Sequence, residues 1–276
     1  MNNFKISNPN KLLWPKLGIK KIDYLNLMYE LSPYILKYAQ NRKLTVIRYP
    51  DGVAKKSFYQ KNLPDYAPSW VEQSLNSADI LLWMANQAAL EFHTCFNTLN
   101  NANNPTSLVF DLDPSKNQTF EQVMEVALLI YETLTKLNIK SYVKTSGSTG
   151  LQIYIPVGCK YSYENARKIN EFFAKYFAQS YPTKISIERL IKNRGNKLYF
   201  DYLQMWKGKT IITPYSTRAV ENARIATPIT WQELKQGIDI NDFNFFSIKE
   251  RLAKKGDLFS NMENDVQDLD FILKKL

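Results

Sequence analysis

The chain has 276 residues, 45% apolar and 22% charged, an ordinary globular composition that is enough for one large domain or a two-lobed one. No stretch approaches the roughly 18 consecutive apolar residues of a membrane span, and the polar start MNNFKISNPNKLLWPK lacks the apolar core of a secretory signal. Two cysteines exclude a disulfide framework, a single histidine removes most zinc sites, and a net charge of +10 favours a polyanionic partner, nucleic acid first.

Cys95 and Cys159 fit a reducing cytosol, so a cytoplasmic, nucleoid-associated protein is expected. With His93 as the lone imidazole, the metals left in play are hard cations with oxygen ligands, such as magnesium or manganese. In chain order, residues 23–40 carry apolar side chains at mixed helical spacing, with Pro33 placed to start a second helix. Residues 43–52, KLTVIRYPDG, read as a strand running into a Pro-Asp-Gly turn. Residues 56–62, KSFYQKN, are a short strand that sets Phe58 and Tyr59 between lysines, Lys61 among them, and residues 63–70 are a loop. Residues 78–97 mix a short apolar element, a helix turn and a strand near His93.

The stretch 106–115, TSLVFDLDPS, reads as a buried strand with two carboxylates at its tip, Asp111 and Asp113. Thr119 and Gln122 form a capping-box pattern that opens a long helix through about Leu137. Residues 140–157 are strand, Gly-rich turn, strand, and Ser162 caps the next helix. Residues 196–205 and 209–219 are strands joined by a Lys-Gly turn, and the tail from Trp231 reads as largely helical. Interleaved helices, strands and hairpins predict an α/β or α+β fold with mixed sheets.

Positions i and i+2 of a strand share a face, so Asp111 and Asp113 project the same way. Two such anions repel unless a cation or a proton sits between them. Solvated strand-end acids are the plainest reading. VFDLDPS is also similar to the first motif of haloacid-dehalogenase-type phosphatases, although it begins at 111 and has Ser115 where that motif has Thr or Val. A DxD also serves sugar-nucleotide transferases, and paired aspartates on a strand serve nucleotidyl transferases. Asp201 interrupts an apolar strand, KLYFDYLQ, and a third carboxylate joining a DxD is what bridging two divalent ions requires. Ser146, Gly147, Ser148, Thr149 and Gly150 lie in a turn whose N–H groups and hydroxyls can cradle phosphates, and Arg218 can neutralise one.

Seven tracts in order, KLLWP, TVIRYPDG, SFYQKNLPDYAPSWV, LVFDLDPS, KTSGSTGLQIYIP, FDYLQM and TPYSTRA, resemble the polymerase domain of bacterial ATP-dependent DNA ligase D, within the archaeo-eukaryotic primase superfamily. The resemblance runs to about residue 230. It implies a primase-like fold of mixed sheets and flanking helices with a central active-site cleft. It also implies one catalytic domain over 1–276, two lobes around the acidic cleft and a C-terminal part largely helical. Asp111, Asp113 and Asp201 are then the catalytic carboxylates and the ligands of two divalent ions, with manganese favoured and magnesium an alternative. Ser146, Gly147 and Thr149 line the triphosphate with Arg218, His93 contacts the incoming nucleotide, and Gln152, Arg194 and Gln204 lie close by. Phe58 and Tyr59 stack on template bases, with Lys61 beside them, and Lys11 and Lys21 hold a downstream 5′-phosphate.

The implied reaction is template-dependent nucleotidyl transfer for gap filling and end processing in non-homologous end joining. The implied partners are broken or gapped DNA, ribo- or deoxynucleotides, Ku and an ATP-dependent DNA ligase, with no membrane. Many relatives carry a basic residue where Thr149 stands and a His where Gln152 stands. Those departures remove a charge from the cradle and a charged acid from the site. A phosphatase and a catalytically silent DNA-end-binding module remain the alternatives.

Overall fold

The computed structural model describes residues 4–276. In chain order it has β1 (Leu12–Trp14), β2 (Ile19–Lys20), α1 (Lys21–Ala39), β3 (Leu44–Arg48), β4 (Phe58–Gln60), α2 (Ala78–Asn86) and β5 (Ala89–Cys95). Next come β6 (Ser107–Asp113), α3 (Phe120–Lys136), β7 (Tyr142–Thr145), β8 (Leu151–Pro156) and α4 (Tyr163–Ser180). Then follow β9 (Ile185–Ser186), α5 (Ile191–Arg194), β10 (Leu198–Phe200), β11 (Thr210–Ile212) and β12 (Pro228–Ile229). The chain closes with α6 (Trp231–Gln236), α7 (Ile248–Lys255) and α8 (Asp270–Leu273). The expected mixture of helices and mixed sheets is what forms. No helix among the described residues is long and apolar enough to cross a membrane.

The chain divides into two compact units. The first takes the chain up to Cys95 with Thr210–Thr227 and Phe243–Lys254; the second takes Phe96–Lys209, Pro228–Asp242 and Lys255–Leu276. The first unit is built on a four-stranded sheet ordered β11-β5-β3-β4, antiparallel throughout. Trp14 and Tyr24 pack ring on ring at 5.6 Å within it, and both spend their polar tips on main-chain oxygens, of Val220 and Ala89 respectively.

The second unit is built on a six-stranded sheet ordered β12-β7-β8-β6-β10-β9, antiparallel except for the β9–β10 pair. Strand alternation gives β6 and β10 two chemically different faces. Phe110 and Phe200, 4.9 Å apart, pack with Phe173 and Phe177 of α4. The residues between and beside them, Asp111, Asp113 and Asp201, belong to the other face.

Three expectations are corrected. Pro33 does not start a second helix but lies inside α1. A proline removes the N–H that would reach the carbonyl four residues back, and the Ser32 hydroxyl donates to that carbonyl, Tyr29 O, at 2.7 Å instead. The strand expected over 209–219 is three residues long, because at Thr213 the chain turns to stitch itself onto β5 through side chains. The tail is less helical than its composition suggests: α6, α7 and α8 are short, and the segment before α8 is tied down by Lys140–Asp265 and Lys160–Asp268 ion pairs rather than by helix packing.

Gly150, immediately before β8, lies so close to the end of β6 that a Cβ there would stand 2.2 Å from the Leu112 carbonyl oxygen. Gly150→Ala should therefore lower unfolding stability by about 2 kcal/mol or more, as read from urea denaturation. A midpoint equal to that of the wild type would contradict this packing.

Candidate active site

Strand register assembles the acidic site in the second unit. In β6, Asp111 faces Gln152 of β8, which in turn faces Lys144 of β7. On the other side Tyr199 faces Asp113, and Asp201, one residue past β10, donates its N–H to Asp111 O at 3.0 Å. Cross-strand neighbours share a face. Lys144, Gln152, Asp111 and Asp201 therefore form one row across the sheet. One pleat further on, Ser146, Gly150, Asp113 and Tyr199 form the next.

Within these rows Gln152 Nε2 donates to Asp111 Oδ1 at 3.0 Å, while Gln152 Oε1 is buried without a hydrogen-bond partner. The Asp201 carboxylate accepts from the Tyr199 hydroxyl and the Leu203 N–H, each at 3.1 Å. Asp113 is exposed and Asp111 half-buried. Burial first, then the Asp113 charge, pushes the Asp111 carboxyl up to about 8, with Asp201 adding to the rise and Gln152 and Lys144 opposing it. Lys144 is 0% exposed, and its amine donates to Thr145 O at 3.3 Å.

Among the described residues, no three His, Cys, Asp or Glu side chains converge into a ready-made metal cage. The donor set still suits a hard divalent ion, since it is all oxygen and lies on one face. Asp111 is also strained toward protonation by neighbours whose repulsion a cation would relieve.

The turn after β7 is more self-contained than expected. Ser146 Oγ accepts the N–H groups of Ser148 and Gly150, both at 3.1 Å, so two of the donors expected to face a phosphate are already spent. Gly147 takes φ +70°, which suits a glycine, and Thr149 is exposed. Arg194 lies flat over the Tyr199 ring at 3.6 Å, on the tyrosine whose hydroxyl holds Asp201. Gln204 closes the 3-10 turn Tyr202–Gln204 that Asp201 caps.

The remaining candidates belong to the first unit. His93 of β5 meets Glu91 Oε2 through Nε2 at 3.0 Å, and Arg218 Nη1 donates to the same oxygen at 2.9 Å. Phe58 and Tyr59 lie on the edge strand β4, 45% and 70% exposed, so neither is a core residue. Arg48 lies over the Phe58 ring at 5.2 Å and also bonds Gln60, Tyr66 and Gln87 O. Lys61 is exposed just beyond the strand.

The Lys21 N–H donates to Lys11 O at 2.8 Å, so the two backbones meet, but the amines do not turn toward one anion. Lys11 pairs with Asp51 at 2.7 Å. Lys21 is 4% exposed, and its amine donates inward to Asn86 O and Ser7 Oγ. Burial first, then the Lys11 and Arg48 charges, pushes that amine below the usual lysine range.

Sequence reading missed Lys144, Glu91 and Arg48. A signal existed for the first two: Lys144 stands two residues before Ser146, and Glu91 two before His93, each on the same strand face as a chosen residue. Arg48 gave none, since its place beside Phe58 depends on β3–β4 pairing.

A sequence model of the LigD primase-polymerase domain matches residues 20–259. The chain is 38% identical over 269 residues to the bifunctional non-homologous end joining protein LigD of Bacillus subtilis, which covers 94% of this chain and 44% of that protein. It is 29% identical over 276 residues to the multifunctional non-homologous end joining protein LigD of Mycolicibacterium smegmatis, covering 95% of this chain and 36% of that protein. The chain thus spans less than half the length of these relatives. Its structure is similar to the polymerase domain of Mycobacterium tuberculosis ligase D in complex with DNA, with a TM-score of 0.87 and 27% identity, over 97% of this chain and 100% of the other.

Between the ordinary aspartate pKa of about 4 and the raised value of about 8, folded Asp111 holds a proton that the unfolded chain has released. The metal-free protein should therefore lose stability as pH rises through that window, and Asp111→Asn should flatten this part of the profile. Manganese chloride should raise the melting temperature of the wild type more at pH 8 than at pH 5. Differential scanning fluorimetry checks both, and superimposable profiles for the wild type and Asp111→Asn would contradict this electrostatic picture.

Proposed function

The chain belongs to the LigD primase-polymerase domain family, and on that premise we propose that it catalyses template-dependent nucleotidyl transfer at gaps and broken ends of DNA. One observation carries the reading: three carboxylates on one face of the sheet, opposite the Phe110–Phe200 packing, drawn from alternate positions of β6 and the residue just past β10. Family membership sets aside the phosphatase alternative. The two compact units are read as lobes of one catalytic domain.

Asp111, Asp113 and Asp201 would hold the divalent ions, manganese or magnesium. When bound, such ions acidify the attacking 3′-hydroxyl and stabilise the charge on the departing pyrophosphate. The protein's own contribution is to fix the acids. Gln152 orients Asp111, and Tyr199 with the Leu203 N–H orients Asp201. Lys144 supplies a buried positive charge that offsets the anionic face. The Ser146–Thr149 turn, Gln152, Arg194 and Gln204 in the second unit, and His93 and Arg218 in the first, are assigned to the nucleotide. Phe58, Tyr59 and Lys61 are assigned to the template, whose bases stack on aromatic faces. The nucleotide sugar, Ku and an ATP-dependent ligase as partners, and the end-joining role belong to the same proposal. Support comes from relatives that are non-homologous end joining proteins and from a structural neighbour in complex with DNA.

Primer extension on gapped DNA with manganese tests the reading. Asp111→Ala, Asp113→Ala and Asp201→Ala should each abolish extension while DNA binding persists, because the basic surface is untouched. Wild-type rates in any well-folded variant of the three would contradict the two-ion site. A wild-type chain that binds ends yet adds nothing would establish a silent binding module instead.

Recognition of a 5′-phosphate is assigned to Lys11, whose amine is accessible, whereas the Lys21 amine is buried and turned inward. Gapped DNA with a downstream 5′-phosphate should bind more tightly than the same DNA with a 5′-hydroxyl, and the gain should shrink as salt rises. Lys11→Ala should erase the difference, whereas Lys16→Ala should lower both affinities together. Equal wild-type affinity for the two ends at one moderate salt concentration would remove the pocket.

A further inference from the structure

Glu91 is a buried carboxylate, its side chain 5% exposed, in the middle of a sheet. A charge in such a place is costly unless it is paired and hydrogen-bonded. Three groups donate to it. His93 Nε2 at 3.0 Å and Arg218 Nη1 at 2.9 Å converge on Oε2, and the Ala219 N–H reaches Oε1 at 3.1 Å. Burial alone would raise its carboxyl, but the His93 hydrogen bond, the charges of Arg218 and His93 and the Ala219 N–H together hold it below the usual carboxylate range. The group is thus an anion at neutral pH.

The surrounding backbone is fixed. Glu91 and His93 share a face of β5, which is paired with β3 along its length. The segment that carries Arg218 is stitched to the same strand, since Ser216 Oγ accepts the Phe92 N–H and the Thr217 hydroxyl donates to Leu90 O, and it is closed on itself by the Arg218 N–H donating to Arg224 O. The Glu91 side chain touches both His93 and Arg218 through one oxygen. Arg218 Nε is buried and has no hydrogen-bond partner. A buried guanidinium donor left unspent costs free energy until an acceptor reaches it, and an anionic oxygen is the acceptor that best matches it.

We propose that Glu91 is a positioning residue for anion recognition. One carboxylate locks the imidazole of His93 and the guanidinium of Arg218 into a fixed pair that receives a phosphate group of the nucleotide. The assignment rests on the reading above that His93 and Arg218 meet the nucleotide. Glu91 itself touches no substrate. Its charge offsets that of the Arg218 guanidinium, so the pair stays folded in the absence of ligand. Its shared oxygen also sets the direction in which the remaining donors point. Preorganised donors pay less ordering cost on binding, so losing Glu91 should appear chiefly in affinity.

The test is a titration of the full chain with a fluorescent ATP analogue in manganese, alongside steady-state extension, for the wild type, Glu91→Gln, Arg218→Met, His93→Gln and the double variant Glu91→Gln/Arg218→Met. Gln keeps the size of the side chain, removes its charge and turns an N–H2 group toward a donor. Glu91→Gln should weaken nucleotide affinity about tenfold or more and raise KM by a larger factor than it lowers kcat. The double variant should bind little more weakly than Arg218→Met alone, because Glu91 acts through that arginine. Glu91→Asp, which keeps the charge on a shorter stem, should recover part of the loss, and it replaces Glu91→Gln in the cycle if the latter does not fold. Wild-type affinity in Glu91→Gln, or losses that add in full in the double variant, would reduce Glu91 to a purely structural ion pair. If Arg218→Met and His93→Gln both bind the analogue as the wild type does, the nucleotide reading of these residues fails, and this assignment fails with it.

Discussion

Asp111 and Asp113 are carried on a strand hydrogen-bonded along both edges, to β8 and to β10, so their carboxylates cannot move apart without loss of sheet pairing. The opposite face of the same strand is committed to aromatic packing through Phe110, which rules out turning the acids away. Repulsion is therefore built in. The sheet answers it partly from within: Gln152 donates to Asp111, and Lys144 lies fully buried in the same row. Burial first, and then the Asp113 charge, still pushes the Asp111 carboxyl up, and in the proposed reading a divalent ion relieves the repulsive part.

The first unit uses charge in the reverse sense. There a single buried carboxylate, Glu91, gathers an imidazole and a guanidinium, and a donor on Arg218 is left unspent. Asp111 and Glu91 are each fixed by strand register, which favours precise placement over adaptability.

Much of this was legible in the sequence because it rests on period-two alternation and on capping. The Asp111–Asp113 pair on one face, the Thr119 and Ser162 helix starts and the strand–turn–strand around Gly147 need only local rules. What escaped depends on partners distant in the chain. Lys21 reads as a surface lysine, yet it is buried because Asn86, 65 residues away, offers a carbonyl to its amine. Pro33 reads as a helix break, yet the Ser32 hydroxyl occupies the carbonyl that the proline leaves without a donor. The Ser146 hydroxyl reads as a phosphate donor, yet it serves its own turn as an acceptor. Lys144 hides for a different reason: a lysine in a strand is ordinarily a solvated edge residue, and only the β7–β8–β6 register shows it buried beside an acid.

In the proposed reading the acidic face of β6 is a divalent-cation site completed by Asp201. Anomalous diffraction at the manganese edge, from crystals soaked in manganese with a non-hydrolysable nucleotide, tests it. Anomalous peaks are expected within coordination distance of Asp111 and Asp113, with at least one also ligated by Asp201, and their loss in Asp111→Asn. A peak-free acidic face in crystals where the nucleotide is bound, or manganese bound only elsewhere on the chain, would contradict it.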